Sequence, residues 1–435
     1  MTTRGIYFFS NDLRLHDNTL LAQAAGEVDE LICLYIDDTL FPSARYRPEP
    51  LSTKRNLFKE ASLAALESQL ANLGQMLWRY QASSLKQVYA LISHLEINLA
   101  YVSKQVGWFE QQVFHQIATN APQLNWQVGN NHTLWSEAEL PFKLSELPGS
   151  FTGFRKKVES LATKAPLIKP SSLPRPMHFQ SDKFSLSRQN QVSLGNESFN
   201  GGEQAGLTHL AQYFDSNAPS YYKTVRNELD GWESSTKFSP WLANGCLSAK
   251  QILTELNTFE RHHGANESTY WIYFELLWRE YFQWYGHRHQ QQLFTFTGIK
   301  KQSPLTSFYP ERFAKWCQGQ TPYPLVNACM KQLNQTGYMS NRGRQIVASC
   351  LVNELQIDWR YGARYFEQQL IDYDVASNWG NWQYLAGVGA DPRGQRHFDL
   401  TKQTQLFDPQ GKFIEKWQGQ CDLALDSVDA ADWPC

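Results

Sequence analysis

The sequence predicts two domains, an N-terminal α/β domain with a doubly wound, Rossmann-like parallel sheet and an all-helical C-terminal domain. Three observations carry this. Short apolar runs alternate with helical periodicities over the first 130 residues, strand signals vanish beyond about residue 200, and 435 residues exceed what one hydrophobic core usually holds.

Residues 5–9 (GIYFF) and 31–36 (LICLYI) are apolar runs of strand length, each followed by polar turn material, with a helical stretch over 18–25 between them. Residues 57–73 read as an amphipathic helix. After Gly74 the strand pattern restarts at 76–80 and again at 99–102, and this alternation places the strands parallel in one sheet. Residues 1–130 form the first domain on this reading. Residues 131–200 are rich in Pro, Ser, Lys and Asn, including KAPLIKPSSLPRPM, and read as an interdomain linker with one helix over 151–161. From 201 to 435 helical periodicity dominates, clearest over 270–285 and 344–359.

Composition narrows the function classes. No run approaches the roughly 18 apolar residues of a membrane span, and the N-terminus MTTRGIYFFSNDLRLHD turns charged too soon for a secretory signal. A soluble, cytoplasmic, monomeric protein is expected. The seven cysteines (Cys33, Cys246, Cys317, Cys329, Cys350, Cys421 and Cys435) lack CxxC spacing and read as reduced thiols, with no metal site. A net charge of −2 leaves a local basic groove as the available nucleic-acid surface.

Residues 372–384, DYDVASNWGNWQY, crowd two Asp, two Asn and two Trp into thirteen positions. That inventory suits a large flat cofactor, because indoles stack or carry an electron while carboxylates grip hydroxyls or pair with a buried Arg. Ser235-Thr236-Lys237-Phe238-Ser239-Pro240 offers hydroxyls and amides ahead of a helix near Trp241, either to seat a phosphate or as plain N-caps. In the run YWIYFELLWREYFQWY, Glu275, Trp278 and Arg279 share one helix face, with a Glu275–Arg279 pair as the plain structural alternative. In YMSNRGRQ, Asn341 and Gln345 share another face. Arg342 and Arg344 fan apart there, one available to a phosphate and the other to an inward carboxylate such as Asp372.

The runs NDLRLHDN, KFSPWLANGCLS, FELLWREYF, GYMSNRGRQIVAS, DWRYGARYF and LIDYDVASNWGNWQY together resemble the photolyase and cryptochrome family, most closely its DASH cryptochrome branch. The resemblance covers residues 5 to about 417. It implies FAD in the helical domain and a light-harvesting antenna, 5,10-methenyltetrahydrofolate, on the α/β domain.

Carried over, Tyr222, Ser235, Thr236 and Ser239 hold the diphosphate region, and Arg344, Asp372 and Asp374 surround the ring and ribityl chain. Lys237, Phe238 and Arg279 complete the cofactor site, and Asn378 faces flavin N5, where an amide accepts the N5 hydrogen. Glu275, Trp278, Asn341, Arg342, Gln345 and Tyr384 line the cavity for a flipped-out pyrimidine dimer. Trp382 and Trp359 match the proximal and middle members of an electron relay. Thr306 stands where the distal Trp is expected, leaving Trp316, Phe308, Tyr309 or Trp379 as candidate exits. Glu110 matches the antenna's acidic ligand, although Ser10 replaces the Arg expected before it in the chain.

Tyr384 and Gln345 stand where duplex-repairing enzymes usually carry Trp and Met, which implies repair of cyclobutane dimers mainly in single-stranded or looped DNA. Neither is His, which argues against the (6-4) photoproduct. The alternative is a blue-light photoreceptor with a signalling role. Such receptors usually append a long C-terminal extension, whereas this sequence runs about eighteen residues past Trp417. An NADH-dependent flavin oxidoreductase is disfavoured because no GxGxxG follows the first strand.

Overall fold

A computed structural model describes residues 2–37, 51–81, 84–188, 199–391, 394 and 396–426; Cys435 lies outside them. Five parallel strands, β1 (Arg4–Phe9), β2 (Glu30–Ile36), β3 (Leu77–Tyr80), β4 (Leu99–Ser103) and β5 (Asn125–Gly129), run in the order β5-β4-β1-β2-β3. Helices α1 (Thr19–Glu27), α2 (Thr53–Ala71), α3 (Lys86–His94) and α4 (Trp108–Asn120) connect them. Alternate residues of β1 and β2 enter different cores. Tyr7, Phe9, Cys33 and Tyr35 pack with α1 and α2, while Ile6, Phe8, Ile32 and Leu34 pack with Val88, Ile92, Val113 and Ile117 of α3 and α4. Burial on both faces is why these strands read as unbroken apolar runs. The chain order reverses between β1 and β4, so the crevice beyond their C-terminal ends is the place for a ligand.

Two expectations need correction. The stretch 131–200 holds α5 (Phe151–Val158), but it also sends β6 (Arg175–Pro176) to pair with β2 and β7 (Leu186–Arg188) to pair antiparallel with β3. The helix expected over 344–359 is two helices. Its first part ends at Asn353, Gln356 reverses the chain at φ 55°, and Asp358 then caps a new helix by accepting from Arg360 N.

The second half contains α6 (Glu203–Phe214), α7 (Tyr222–Val225), α8 (Ser239–Ala243), α9 (Ala249–His263), α10 (Glu267–His289), α11 (Pro310–Gln318) and α12 (Pro324–Thr336). It continues with α13 (Asn341–Asn353), α14 (Trp359–Gln369), α15 (Val375–Leu385), α16 (Leu400–Phe407) and α17 (Lys412–Lys416). Among the described residues its one strand-like pairing is the isolated bridge Ser307–Ile357. None of the described helices is long and apolar enough to cross a membrane.

The NDLRLHDN loop after β1 staples the halves together. Arg14, 1% exposed, donates to Gly245 O at 2.9 Å, Asp17 O at 2.9 Å and Asn131 O at 2.7 Å. Glu203 accepts from Leu15 N and His16 N. Gly245 sits at φ 68°, and a Cβ there would lie 1.9 Å from Asn11 O, so the two backbones touch only because residue 245 has no side chain. This docking fixes the helical half against the C-terminal ends of the strands.

Candidate functional site

Helices α7, α8, α10, α13 and α15 enclose a cavity of about 370 Å³. A second chamber of about 100 Å³ shares Asn341, Arg344, Gln345, Asp372, Asp374 and Ser377 with it and adds Asn378 and Trp382. The segment 372–384 therefore supplies the wall shared by a larger space and a smaller one.

Arg344 reaches inward as expected and donates to Asp372 Oδ2 at 2.7 Å, while Ser239 Oγ donates to the same oxygen at 2.6 Å. Asp372 Oδ1 remains buried without a partner. A buried carboxylate oxygen in this state calls for a donor from a ligand, such as a hydroxyl or a ring N–H. Asp374 behaves differently. It caps α15 through Ser377 N at 2.7 Å and takes Gln283 Nε2 at 2.8 Å, so both oxygens are already engaged, although the residue lines both chambers. Asn378 spends its NH₂ on Ala363 O at 2.9 Å, which leaves its carbonyl oxygen as the atom available to the smaller chamber.

The larger cavity brings together Tyr222, Thr236, Phe238, Ser239, Glu275, Trp278, Arg279, Asn341, Gln345 and Tyr384. Tyr222 is buried, and burial first, with Glu275 adding, holds its phenol above its ordinary pKa. Glu275 does not pair with Arg279. Its partner is Arg226, at 2.5 Å, whose guanidinium lies 4.3 Å from the Trp271 ring centroid, while Arg279 donates to His132 O. Burial raises the Glu275 pKa and Arg226 partly opposes it. Trp278 is covered on one face by Phe151, stacked at 3.8 Å and 13°, and meets the edge of Tyr384 at 5.9 Å and 85°. The Tyr384 hydroxyl is held by Arg396, which also bonds Asp391.

Other expected residues lie outside the larger cavity. Ser235 Oγ stands 3.4 Å from the Tyr338 hydroxyl, and Lys237, at φ 54°, lays its ammonium 4.7 Å from the Tyr338 ring centroid. Arg342 bonds Asn227 Oδ1 at 3.1 Å and stacks 4.7 Å from Phe407, and burial lowers its pKa. Glu110 opens α4 beside a small cavity of about 70 Å³ at the sheet's reversal point, with Ser10, Arg55, Lys59 and Tyr373. Trp382 packs against Gly362, where a Cβ would meet its ring at 2.3 Å, one turn after Trp359 on α14. The ring neighbours of Trp382 are Phe366 and Trp316, and that of Trp359 is Trp379.

Sequence reasoning missed Arg226, Phe151 as a stacking partner, and Arg396. Arg226 is the residue that ends the short helix α7, far from Glu275 in sequence, and no helical spacing links the two. Arg396 comes from the irregular chain after α15, where periodicity carries no signal.

Residues 5–175 match the DNA photolyase domain, and residues 271–424 match the FAD binding domain of DNA photolyase. A cryptochrome DASH of Idiomarina loihiensis is 50% identical over 435 residues, covering 99% of this chain and 96% of its own. The chain belongs to the photolyase and cryptochrome family. Another cryptochrome DASH, from Vibrio parahaemolyticus, is 51% identical over 99% of this chain and 97% of its own. In three dimensions a Synechocystis cryptochrome superposes with a TM-score of 0.85 at 34% identity, covering 96% of this chain and 89% of its own. A class III photolyase from Agrobacterium tumefaciens gives 0.79 at 26% identity, covering 96% and 86%.

The family's FAD-binding domain is thus present, and the cavity fits its cofactor. The unpartnered Asp372 Oδ1, the free amide oxygen of Asn378 and the Arg344 guanidinium offer an acceptor, an acceptor and a cation to one flat, hydroxylated ligand.

Proposed function

We propose that this chain is a light-driven lyase that splits cyclobutane pyrimidine dimers, mainly in single-stranded or looped DNA. One observation carries the reading: Glu275, Trp278, Asn341, Gln345 and Tyr384 line one cavity whose wall continues directly into the chamber of Asp372, Asn378 and Trp382. When bound, reduced FAD supplies the light-excited electron and receives it back, with no net redox change.

The protein's own residues hold and orient. Arg344, Asp372 and Ser239 form the cofactor's polar anchor, with Tyr222, Thr236, Phe238 and Arg279 around it and Asn378 as hydrogen-bond acceptor toward the ring. Asp374 positions α15 as its cap. Ser235 and Lys237 act through Tyr338, setting the segment that approaches the diphosphate. Glu275, held by Arg226, hydrogen-bonds a base edge, and Trp278 stacks on the dimer with the face that Phe151 leaves free. Asn341, at the open mouth, and Gln345 complete the polar rim, and Arg342 contacts a neighbouring phosphate.

Strand preference follows from the cavity's grip. Extruding a dimer from a duplex costs a few kcal/mol, and Tyr384 and Gln345 offer less stacking area than Trp and Met. Glu110 and its small cavity are the antenna site, for which a reduced folate is the proposed occupant. The protein acts as a cytoplasmic monomer on this reading. Blue-light treatment of ultraviolet-irradiated oligo(dT) with FAD-loaded, reduced protein tests the proposal. Dimer loss in the light and not in the dark supports it, and no loss on single strands rejects it.

A further inference from the structure

We propose that the electron vacancy formed at Trp382 leaves the protein through Trp316 and is trapped as a neutral radical on Tyr365. This rests on the flavin reading above. Trp316 is fully buried and lies 6.3 Å from Trp382, nearly edge-on at 70°, with its own N–H donated to Val347 O. Tyr365 follows at 5.6 Å from Trp316 and is half-buried, with its hydroxyl 2.6 Å from Asn334 Oδ1 and 3.1 Å from Cys317 O. Three rings in successive contact thus run from the smaller chamber to the surface.

The other branch leads from Trp359 to Trp379, whose N–H donates to the Tyr373 hydroxyl at 3.1 Å. Trp359 is fully buried and gives its N–H to Phe296 O, and its ring neighbour Trp379 is 2% exposed. The Arg364 guanidinium lies 5.6 Å from the Trp379 ring centroid, and a fixed cation there disfavours a second positive charge on the indole. Thr306, where an outlet would stand, cannot be oxidised by an indole cation. The Trp359 branch can share the vacancy, but the Arg364 cation beside Trp379 opposes its passage on to Tyr373.

Each step balances. Trp382 gives one electron to the light-excited oxidised cofactor, Trp316 refills Trp382, and Tyr365 refills Trp316 while its phenolic proton goes to water. The acceptors at 2.6 and 3.1 Å are neutral carbonyls, which hold the O–H but take no proton, and solvent at this half-buried hydroxyl receives it. Loss of the proton stops the electron from returning, and an external thiol reductant then restores the phenol.

The test is freeze-trapped electron paramagnetic resonance of the FAD-loaded protein after blue illumination, with and without ring-deuterated tyrosine, beside thiol-supported photoreduction. A tyrosyl signal that narrows on deuteration and disappears in Tyr365→Phe is expected. Photoreduction should fall several-fold in Tyr365→Phe and Trp316→Phe and stay at the parental level in Trp379→Phe. A tyrosyl signal surviving in Tyr365→Phe, or photoreduction lost in Trp379→Phe and kept in Tyr365→Phe, overturns the proposal. Reduction by dithionite, unchanged in every variant, shows that fold and cofactor are intact. Failure of the underlying flavin reading appears separately, as protein without flavin absorbance.

Discussion

Arg344 and Asp372 form an ion pair of 2.7 Å whose carboxylate keeps one oxygen buried and unpartnered. A pair built for its own stability would satisfy both oxygens, because a buried polar atom without a partner is costly. The geometry is that of a pair completed by a ligand.

Asp372→Asn should therefore lose the cofactor before it loses the fold. Breaking a buried charge pair costs about 3 kcal/mol, roughly a hundredfold in FAD affinity. Flavin retained per protein after gel filtration measures it. Parental flavin content would remove Asp372 from the cofactor site.

Arg226 holds down the pKa that burial raises on Glu275. In Arg226→Gln that restraint is gone, so the Glu275 carboxyl should take up its proton at a higher pH. The midpoint of the repair rate against pH should move upward. An unchanged midpoint would mean that Glu275 does not set it.

Tyr384→Trp combined with Gln345→Met enlarges the stacking surface and removes polarity. About 1 kcal/mol of added stacking per base is expected, several-fold in affinity for a dimer in duplex DNA. Competition binding with single-stranded and duplex dimer probes reads the ratio. If duplex affinity does not rise relative to single strands, the strand preference lies elsewhere, with Arg396 as the next residue to test.

Acid should destabilise the fold through the buried seam between the two halves. Burial first, then neighbouring cations, lowers His132 and His287 to about 3, from an ordinary 6.5. Both stay neutral in the fold and charge on unfolding, so their stabilisation is complete above 6.5 and is lost as pH falls toward 3. Glu280 opposes them. Its carboxyl is raised to about 7, so its contribution is full below 4.5 and lost as pH rises through 7. These three groups by themselves leave a net loss on acidification of about 1.4 kcal/mol per pH unit between 4.5 and 6.5, to which His289, lowered to about 4 by burial, adds in the same direction. His287→Phe should flatten the fall of Tm between about pH 6.5 and pH 5. An unchanged slope would show that other groups control it.

Much of this arrangement was legible in the sequence, and the reasons are specific. Strands β1 and β2 are buried on both faces and announce themselves as apolar runs. The pair Arg344–Asp372 followed from an Arg pointing inward beside an acidic segment, and the shared face of Asn341 and Gln345 followed from their spacing of four. Strands β6 and β7 were hidden because two or three residues at a sheet edge carry no periodicity. The break between α13 and α14 was hidden because LQID has neither Gly nor Pro, and the reversal falls on Gln356 at positive φ. Glu275–Arg279 was a correct helical neighbourhood and the wrong pair, because Arg226 arrives from another element. Ring-to-ring contacts such as Trp382–Trp316 join α15 to α11 and exist only in the packed fold.

The most direct measurement is the repair rate of a cyclobutane thymine dimer by FAD-loaded, chemically reduced protein, in light and dark, on one oligonucleotide presented single-stranded and as a duplex. The expected result is light-dependent repair on the single strand and much slower repair on the duplex. Bound, reduced flavin with no light-dependent repair of the single strand would contradict the assignment of this cavity to DNA repair.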